Sequence, residues 1–286
     1  MWIIFTSLEK NKRSRLTRRK MMKTLLKLLL LFLIVGWAFQ VNAETTKESK
    51  RVKIPTHVLD IAKENTHPNS TQDLPRLQPS ELATTLLETA NVRIDNPELI
   101  RLLNESAISS PKLALLFRAS IYLGDWPLSY ESLETNMNWE YKLINTNFSD
   151  NRGGTQVKKM TYTQEQQKRV AGGLSANIAK ADEVKKMMMV KASEKTGLPL
   201  SFETVTGQGT KKGHEYHLSL NNVGYLYAYV PAVNEKGKVT YGEVYLTIKG
   251  GKKRLEVKNV VQQGIGAWIP IQDHLSFKFY MANQPR

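Results

Sequence analysis

The chain of 286 residues contains no cysteine. Without cysteine the fold has no disulfide bond, no thiolate nucleophile, no cysteine-ligated zinc and no lipid anchor attached through sulfur. Stability therefore has to come from packing, and the chain is long enough for one or two domains with a sizeable hydrophobic core.

Acidic residues are scarce relative to basic ones, with 26 Asp and Glu against 41 Lys and Arg and a net charge of +15. The first 43 residues hold nine basic residues and one acidic residue, so they account for +8 and leave +7 on the rest. There lysines are interspersed with acids, which argues against a nucleic-acid partner. This charge indicates either a solvated lysine-rich surface or attraction to anionic wall polymer or a membrane surface.

A hydrophobic run of the length that a transmembrane helix needs, about 20 residues, is also missing. The most apolar stretch, Leu25–Phe39, is interrupted by Lys27. Basic residues precede it, and Val41 and Ala43 stand three and one positions before a potential cut, as signal peptidases require. We therefore predict a signal peptide at Met21–Ala43 that is cleaved after Ala43, and an extracytoplasmic protein, secreted or associated with the cell envelope.

Other interpretations of this segment stay open. One is retention as an uncleaved membrane anchor. Another is twin-arginine export, because Arg18-Arg19 precede the apolar stretch, although its richness in leucine favours general secretion. The residues before Met21 fit poorly with a short signal peptide, which favours translation from Met21 or Met22 over Met1.

Composition divides the chain into three parts. Residues 1–43 are the N-terminal extension and signal peptide. Residues 44–79 are polar and contain several prolines, which restrict their own backbone and that of the preceding residue, so we predict a linker or an extended arm. Residues 80–286 are predicted to form a single α+β domain.

Helical periodicity marks three segments of that domain. The first helix is predicted over Ser80–Asn91 and begins at a serine, which is a good N-cap. Asn96-Pro97 caps a second short helix. A third helix is predicted over Asp182–Thr196, with Gly197 as its stop signal.

Alternation of apolar and polar residues predicts the strands. One strand is predicted over residues 117–123 and is ended by Gly124–Pro127. From about Leu200 onwards the pattern is almost entirely β, with separate strands predicted at Gly224–Val233 and Tyr241–Ile248. Strands so close in sequence are expected to pair antiparallel. The predicted fold class is α+β, with a large antiparallel sheet, sandwich-like or curled, and a few packed helices in the N-terminal half and the middle.

Three short motifs resemble those of penicillin-recognising serine enzymes and occur in the same order: Ser109-x-x-Lys112, Ser149-Asp150-Asn151 and Lys195-Thr196-Gly197. The third motif falls at the end of a predicted helix, whereas in those enzymes it lies on a strand. The gaps between the motifs also leave little room for the helical domain that such enzymes insert. We therefore predict no catalytic residue from these motifs.

Histidines and acids give no stronger signal. His214 and His217 are three residues apart in a predicted strand and point to opposite faces, so they do not form a metal site. The acidic residues are too scattered for a pair of catalytic carboxylates to be assigned. No metal and no cofactor are predicted.

Tyrosines form the most specific surface feature. Alternation places Tyr225, Tyr227 and Tyr229 on one face of their strand, opposite to aliphatic residues, and gives Tyr241 and Tyr245 the same arrangement in the next strand. We expect a tyrosine patch framed by Lys238 and Lys249. It either stabilises the sheet through cross-strand pairs or forms a ligand-binding platform on which sugar rings stack.

Four segments carry a resemblance to a known family: Phe117–Leu128, Asn138–Tyr141, the run KKMMMVKASEKTGLPLSFE at Lys185–Glu203, and Gly264–His274. They resemble the YfkD-like family of exported proteins of Bacillus-type bacteria. The family has no assigned activity, so the resemblance implies no catalytic or binding residue. It implies export and a location outside a Gram-positive membrane.

Two function classes follow from these observations. The first is a non-enzymatic envelope protein that binds wall polymer, a membrane surface or another exported protein. The second is a hydrolase or transferase acting on cell-wall material. A deep cleft with two convergent carboxylates, or a contact between a serine and a lysine, would favour the enzyme.

Overall fold

The computed structural model describes residues 52–70, 78–106 and 118–285. The predicted signal peptide and its cleavage site lie outside these ranges, as do Ser109 and Lys112 of the first serine-enzyme motif. The division into extension, linker and domain stays a prediction.

Two very long antiparallel strands organise the fold. Strand β2 spans Arg118–Asp150 and strand β8 spans Val223–Lys249, and they pair along their whole length. Strand β9, Lys252–Pro270, pairs with the second half of β8, and strand β10, His274–Ala282, pairs with the first half. One sheet therefore runs the length of β8.

The remaining strands are short. Strand β1, Val58–Asp60, adds to the free edge of β10, and strand β5, Gly173–Leu174, adds to the edge of β9. Four further strands are Lys158–Thr163 (β3), Lys168–Ala171 (β4), Glu203–Thr206 (β6) and Lys211–Leu218 (β7). They form two small antiparallel sheets beside the main sheet, in which β3 pairs with β7 and β4 pairs with β6.

Three helices complete the described chain. Helix α1, Glu81–Thr89, begins after Ser80, whose hydroxyl accepts from a backbone amide, and helix α2, Pro97–Glu105, begins after Asn96, whose side chain does the same. Helix α3, Ala181–Thr196, ends at Gly197 with a φ of 71°. Glycine has no Cβ to oppose this left-handed conformation. The predicted helices and the α+β class with a large antiparallel sheet are confirmed.

The predicted strand boundaries were wrong in two places. Gly124–Pro127 does not end a strand, because β2 continues through it with bulges between Tyr122 and Gly124 and between Pro127 and Ser129. Gly224–Val233 and Tyr241–Ile248 belong to the single strand β8. Glycine inside β8 permits a close approach rather than a turn, since a Cβ on Gly237 would collide with the Glu131 carbonyl oxygen.

The stretch predicted as a linker or arm contributes structure to the sheet. Strand β1 lies within it, and Asn65 and Asn69 each donate to the Asp273 carboxylate, at 2.9 and 2.7 Å. Both amides also donate to the Val205 carbonyl oxygen. This network ties residues 52–70 to the main sheet.

Each face of β8 is buried in different places. On one face Leu226, Ala228 and Val230 pack under one end and Val244 and Leu246 pack against α1 and α2 at the other end. On the opposite face the methionines of α3 cover the middle of the strand, around Val233 and Val239. All the extra residues at the β2–β8 bulges lie on β2, so alternation along β8 is kept.

Candidate binding surface

The tyrosines that alternation singled out lie on one face of β8, which we call the tyrosine face. Tyr225, Tyr227, Tyr229, Tyr241 and Tyr245 are all partly buried, and the even-numbered residues directly next to them in sequence are buried. Because β8 keeps its alternation, its odd-numbered side chains share this face from end to end.

Helix α3 divides the tyrosine face into two ends. Its buried side chains, including Val184 and Met188, pack against Val233 and Val239 in the middle of β8. Tyr241 lies at the margin of this contact, and its hydroxyl donates to the Ala179 carbonyl oxygen at 3.2 Å. The five tyrosines therefore do not form one continuous patch.

At the first end, aromatic side chains of three neighbouring strands lie side by side. Phe148 of β2 and Tyr280 of β10 stand directly opposite Tyr225, and Tyr227 is next to Tyr225 on the same face. We call these four residues the aromatic surface. Directly opposed residues of antiparallel strands share a face, so the four rings form one layer.

The rings of the aromatic surface are close together and open to solvent. The centroids of Phe148 and Tyr225 are 5.1 Å apart, and those of Tyr225 and Tyr227 are 6.2 Å apart in a stacked arrangement. Phe148 is 53% exposed and Tyr280 is 37% exposed. Among the described residues, the hydroxyl of Tyr227 has no hydrogen-bond partner. This surface can therefore offer ring faces and a hydroxyl to a ligand.

Charged pairs border the aromatic surface. Lys278 stands opposite Tyr227 and binds Glu140 at 3.2 Å. Arg152 binds Asp150 at 2.6 Å, and the hydrogen bonds that Arg152 donates lower the pKa of the Asp150 carboxyl to about 2. The charges at this rim are neutralised in pairs, which leaves the aromatic rings as its distinguishing feature.

At the second end, the tyrosine hydroxyls donate hydrogen bonds to carboxylates. Tyr122 stands opposite Tyr245, with ring centroids 5.2 Å apart. The Tyr122 hydroxyl donates to Asp125 at 2.7 Å, and this hydrogen bond is the main reason that the Tyr122 pKa is raised to about 12. The Tyr245 hydroxyl donates to Glu243 at 2.8 Å. These tyrosines are engaged within the protein.

The two lysines expected to frame the patch lie apart from each other. Lys249 is on the tyrosine face at the end of β8, beside the hairpin turn. Lys238 is an even-numbered residue of β8, opposite Glu131 and Gly264, and alternation places it on the reverse face. Lys238 therefore does not border the tyrosines.

The second and third serine-enzyme motifs lie in the described part of the chain, and their residues make structural contacts. Asn151 is buried and donates to backbone carbonyl oxygens, among them that of Gln156 at 3.0 Å. The Thr196 hydroxyl donates to the Ala192 carbonyl oxygen at 2.8 Å, and Gly197 caps the helix. The second motif therefore stabilises the end of a strand, and the third stabilises the end of a helix.

A serine and a lysine do meet, although not within those motifs. The Lys195 Nζ lies 2.7 Å from the Ser132 Oγ and 3.0 Å from the Ser132 carbonyl oxygen, next to a bulge of β2. A lysine that activates a serine has to lose its proton, which burial favours. Lys195 is exposed. The contact therefore resembles a lysine that ties a helix end to a bulge.

Other sites of chemistry are poorly supported. Within residues 52–70, 78–106 and 118–285, histidine, aspartate and glutamate side chains nowhere form a group of three that could hold a metal ion. A groove on the reverse face is lined by glycine backbone and Trp268, and its carboxylate, Glu134, is paired with Lys236 at 3.0 Å. No helix in the described part of the chain has the length and apolar character needed to cross a bilayer.

Together, the fold and the surface define an α+β protein built on one long antiparallel sheet that exposes aromatic rings at one end. The sequence model of the family described as YfkD-like protein matches residues 55–286. A Bacillus subtilis (strain 168) protein named Uncharacterized protein YfkD is 56% identical over 266 residues, which cover 93% of this chain and 100% of the relative. The chain belongs to the YfkD-like family.

A solved structure gives a much weaker likeness. The crystal structure of a lamprey immune protein aligns with 57% of this chain and 53% of its own chain, at 8% identity and a TM-score of 0.24. A likeness at that level carries no argument about this protein.

Two members of the aromatic surface were missed by sequence reasoning. Phe148 and Tyr280 belong to strands that are far from β8 in sequence and meet it only through pairing. Alternation within residues 275–281 could have placed Tyr280 on a face, but the pairing register was needed to bring that face beside Tyr225.

Proposed function

We propose that this protein is an exported, non-enzymatic component of the cell envelope that binds cell-wall glycan through the aromatic surface. One observation carries the proposal: four exposed or partly exposed rings from three strands lie in one layer at one end of the sheet. Sugar rings present C–H faces that pack on aromatic rings, and neighbouring hydroxyls add hydrogen bonds. The export part of the proposal rests on the sequence of residues 21–43.

The shape of the surface supports binding more than catalysis. Its charged neighbours in the described part of the chain, Lys278 and Arg152, are each paired with a carboxylate rather than left available as a free base. Cross-strand aromatic pairs also stabilise a sheet by roughly 0.2–1 kcal/mol each, which offers a purely structural explanation of the same residues. An experiment has to separate these two roles.

A sedimentation assay with insoluble cell-wall glycan separates them. The double variant Tyr225→Ala/Tyr227→Ala removes two adjacent rings, and we expect about tenfold weaker binding with a small loss of stability. The matched control is Tyr122→Ala/Tyr245→Ala, which removes two adjacent rings at the other end of the same face. We expect the control to bind as well as the wild type.

Equal binding by both double variants would overturn the proposal and leave the aromatic surface with a structural role. Urea unfolding of each variant ensures that a loss of binding is not a loss of folding. Because the two variants remove identical side chains, a difference between them reports position on the face rather than composition.

Export is tested separately. Cells are fractionated into cytosol, membrane, wall and medium, and the first residue of the recovered protein is determined. We expect Glu44 as the first residue and recovery from the wall or the medium. Recovery of the intact polypeptide from cytosol would contradict export without bearing on glycan binding in vitro.

The enzyme alternative has one observation in its favour, the contact between Lys195 and Ser132. A hydrolase or transferase that used this pair would lose all turnover of wall material in Ser132→Ala. A Lys195→Arg variant, which keeps the charge but does not give up a proton, would be inactive too. We expect that the wild type releases no wall fragments. If the wild type does release fragments and each substitution abolishes that release, the enzyme alternative is established.

A further inference from the structure

Four basic residues converge at the hairpin end of the tyrosine face. Arg118 of β2 stands directly opposite Lys249 of β8, and Lys249 stands directly opposite Lys252 of β9. One step further along the same face, Arg254 stands opposite Thr247. We call Arg118, Lys249, Lys252 and Arg254 the basic cluster.

The register brings like charges together. Directly opposed residues of an antiparallel pair have Cβ atoms about 4.5–5.5 Å apart, and like charges at that separation destabilise a sheet. Among the described residues, none of the four basic side chains has an ion-pair partner. The adjacent carboxylate, Glu256, is bound to Lys258 at 3.5 Å. Within the described part of the chain, the positive charge of the cluster is therefore not compensated by an ion pair.

The cluster surrounds a concave site rather than a flat one. A cavity of about 810 Å³ is lined by all four basic residues and by polar side chains that include Thr89, Asn91 and Thr247. Asn91 and Thr89 come from the C-terminal end of α1 and the residues after it, where they bond to the backbone of β9. The cavity is therefore enclosed between residues at the end of α1 and the hairpin that joins β8 to β9.

We propose that the basic cluster binds phosphate groups of a linear anionic polymer. Guanidinium groups match the geometry of phosphate oxygens, and ammonium groups add point charges. A bound phosphate would relieve the repulsion across the row from Arg118 to Lys252. The concave shape favours a polymer segment over the flat surface of a membrane.

This site is independent of the aromatic surface. The two lie at opposite ends of β8, and helix α3 covers the face between them. The basic cluster can therefore fail to bind phosphate while the aromatic surface binds glycan, and the reverse also holds.

The test is a titration of the full-length chain with fluorescently labelled inorganic polyphosphate. The double variant Lys249→Gln/Lys252→Gln should bind about 30-fold more weakly, and binding by the wild type should fall steeply as salt rises. The matched control is Lys168→Gln/Lys211→Gln, which lowers the net charge equally at exposed positions outside the cluster. The control should stay within about twofold of the wild type.

Several outcomes would overturn the proposal. They are the absence of polyphosphate binding, an equal loss in both double variants, and equal binding of a polyglutamate of matched length, which would reveal a preference for charge alone. Vesicles of phosphatidylglycerol and phosphatidylcholine form a further arm. If the protein sediments with vesicles in a manner that depends on Lys249 and Lys252 but does not bind polyphosphate, the ligand of the basic cluster is a lipid surface and not a polymer.

Discussion

The two ends of strand β8 share one face and differ in what that face presents. At the Val223 end, the neighbouring strands add Phe148 and Tyr280 to the tyrosines, and the charges at the rim are paired. At the Lys249 end, the tyrosine hydroxyls are held by carboxylates, and basic residues without partners among the described residues follow. One strand thus offers rings at one end and positive charge at the other.

The neighbours of β8 supply much of this difference, and within β8 itself Glu243 accepts from the Tyr245 hydroxyl. Tyr225 and Tyr245 are each followed by a buried leucine, Leu226 and Leu246, that points to the opposite face. Strand β10 supplies an aromatic residue opposite Tyr225, whereas strand β9 supplies Glu256 opposite Tyr245. The identity of the paired strand therefore decides which side chains stand opposite a tyrosine on this face.

The largest expected effects test whether the two ends fold as one unit. Leu226 and Leu246 lie on the reverse face of β8, buried under the aromatic surface and near the basic cluster respectively, at 0% and 3% exposure. Either Leu→Ala change should lower the free energy of unfolding by about 2–5 kcal/mol. Urea unfolding followed by both fluorescence and circular dichroism should give one coincident transition for each variant. Separate transitions at the two ends would show that β8 does not couple them.

A smaller effect is expected at the covered edge beside the basic cluster. The Asn91 side chain accepts from the Val257 amide at 3.1 Å and donates to the Val257 carbonyl oxygen at 3.2 Å. Asn91→Ala should cost about 1–3 kcal/mol of stability, because it leaves both edge groups of β9 without these bonds. Thermal unfolding measures the loss, and Asn91→Asp, which can still accept, should recover part of it. If Asn91→Ala unfolds at the same midpoint temperature as the wild type, water replaces these hydrogen bonds.

A titration sharpens the contrast between the tyrosines of the two ends. The Tyr122 phenol has a pKa of about 12 because it donates to Asp125. The folded pKa exceeds the reference value of about 10, so this contribution to stability is complete below pH 10 and disappears as the pH rises through about 12. Asp125→Asn should lower the midpoint of one phenol in an ultraviolet titration, with Tyr122→Phe identifying that phenol. An unchanged titration curve would indicate that Asp125 does not hold the hydroxyl.

The smallest effect is expected at the rim of the aromatic surface. Lys278 and Glu140 form an exposed ion pair at 3.2 Å, with side chains 58% and 47% exposed. Lys278→Met should change stability by less than about 1 kcal/mol, because solvent screens the pair. Urea unfolding checks this value, and glycan binding by the same variant should be retained. Loss of glycan binding without loss of stability would show that the charge, rather than the rings, carries recognition.

Local signals in the sequence were sufficient for several elements. Ser80, Asn96-Pro97 and Gly197 marked helix ends, and the structure uses them as caps. Alternation placed Tyr225, Tyr227 and Tyr229 opposite to buried aliphatic residues. These features depend on interactions within a few residues, so a single sequence contains them.

Strand length could not be predicted in the same way. Gly124, Pro127 and Gly237 are residues that end strands in isolation, yet β2 and β8 pass through them. In β2 the bulges absorb them, and in β8 the glycine admits the close backbone of β2. Whether a glycine turns the chain or admits a neighbour depends on a strand that is distant in sequence.

The sequence by itself determined the alternation that puts Tyr225, Tyr227 and Tyr229 opposite to aliphatic residues, the caps of the helices and the absence of cysteine chemistry, because each is a property of residue type and short-range spacing. The tertiary structure alone decided that helix α3 divides the tyrosine face, that Phe148 and Tyr280 join one end and that Arg118, Lys249 and Lys252 meet at the other. Pairing register and helix packing join residues that are remote along the chain. The contacts between such residues stabilise the protein only once the whole sheet has formed.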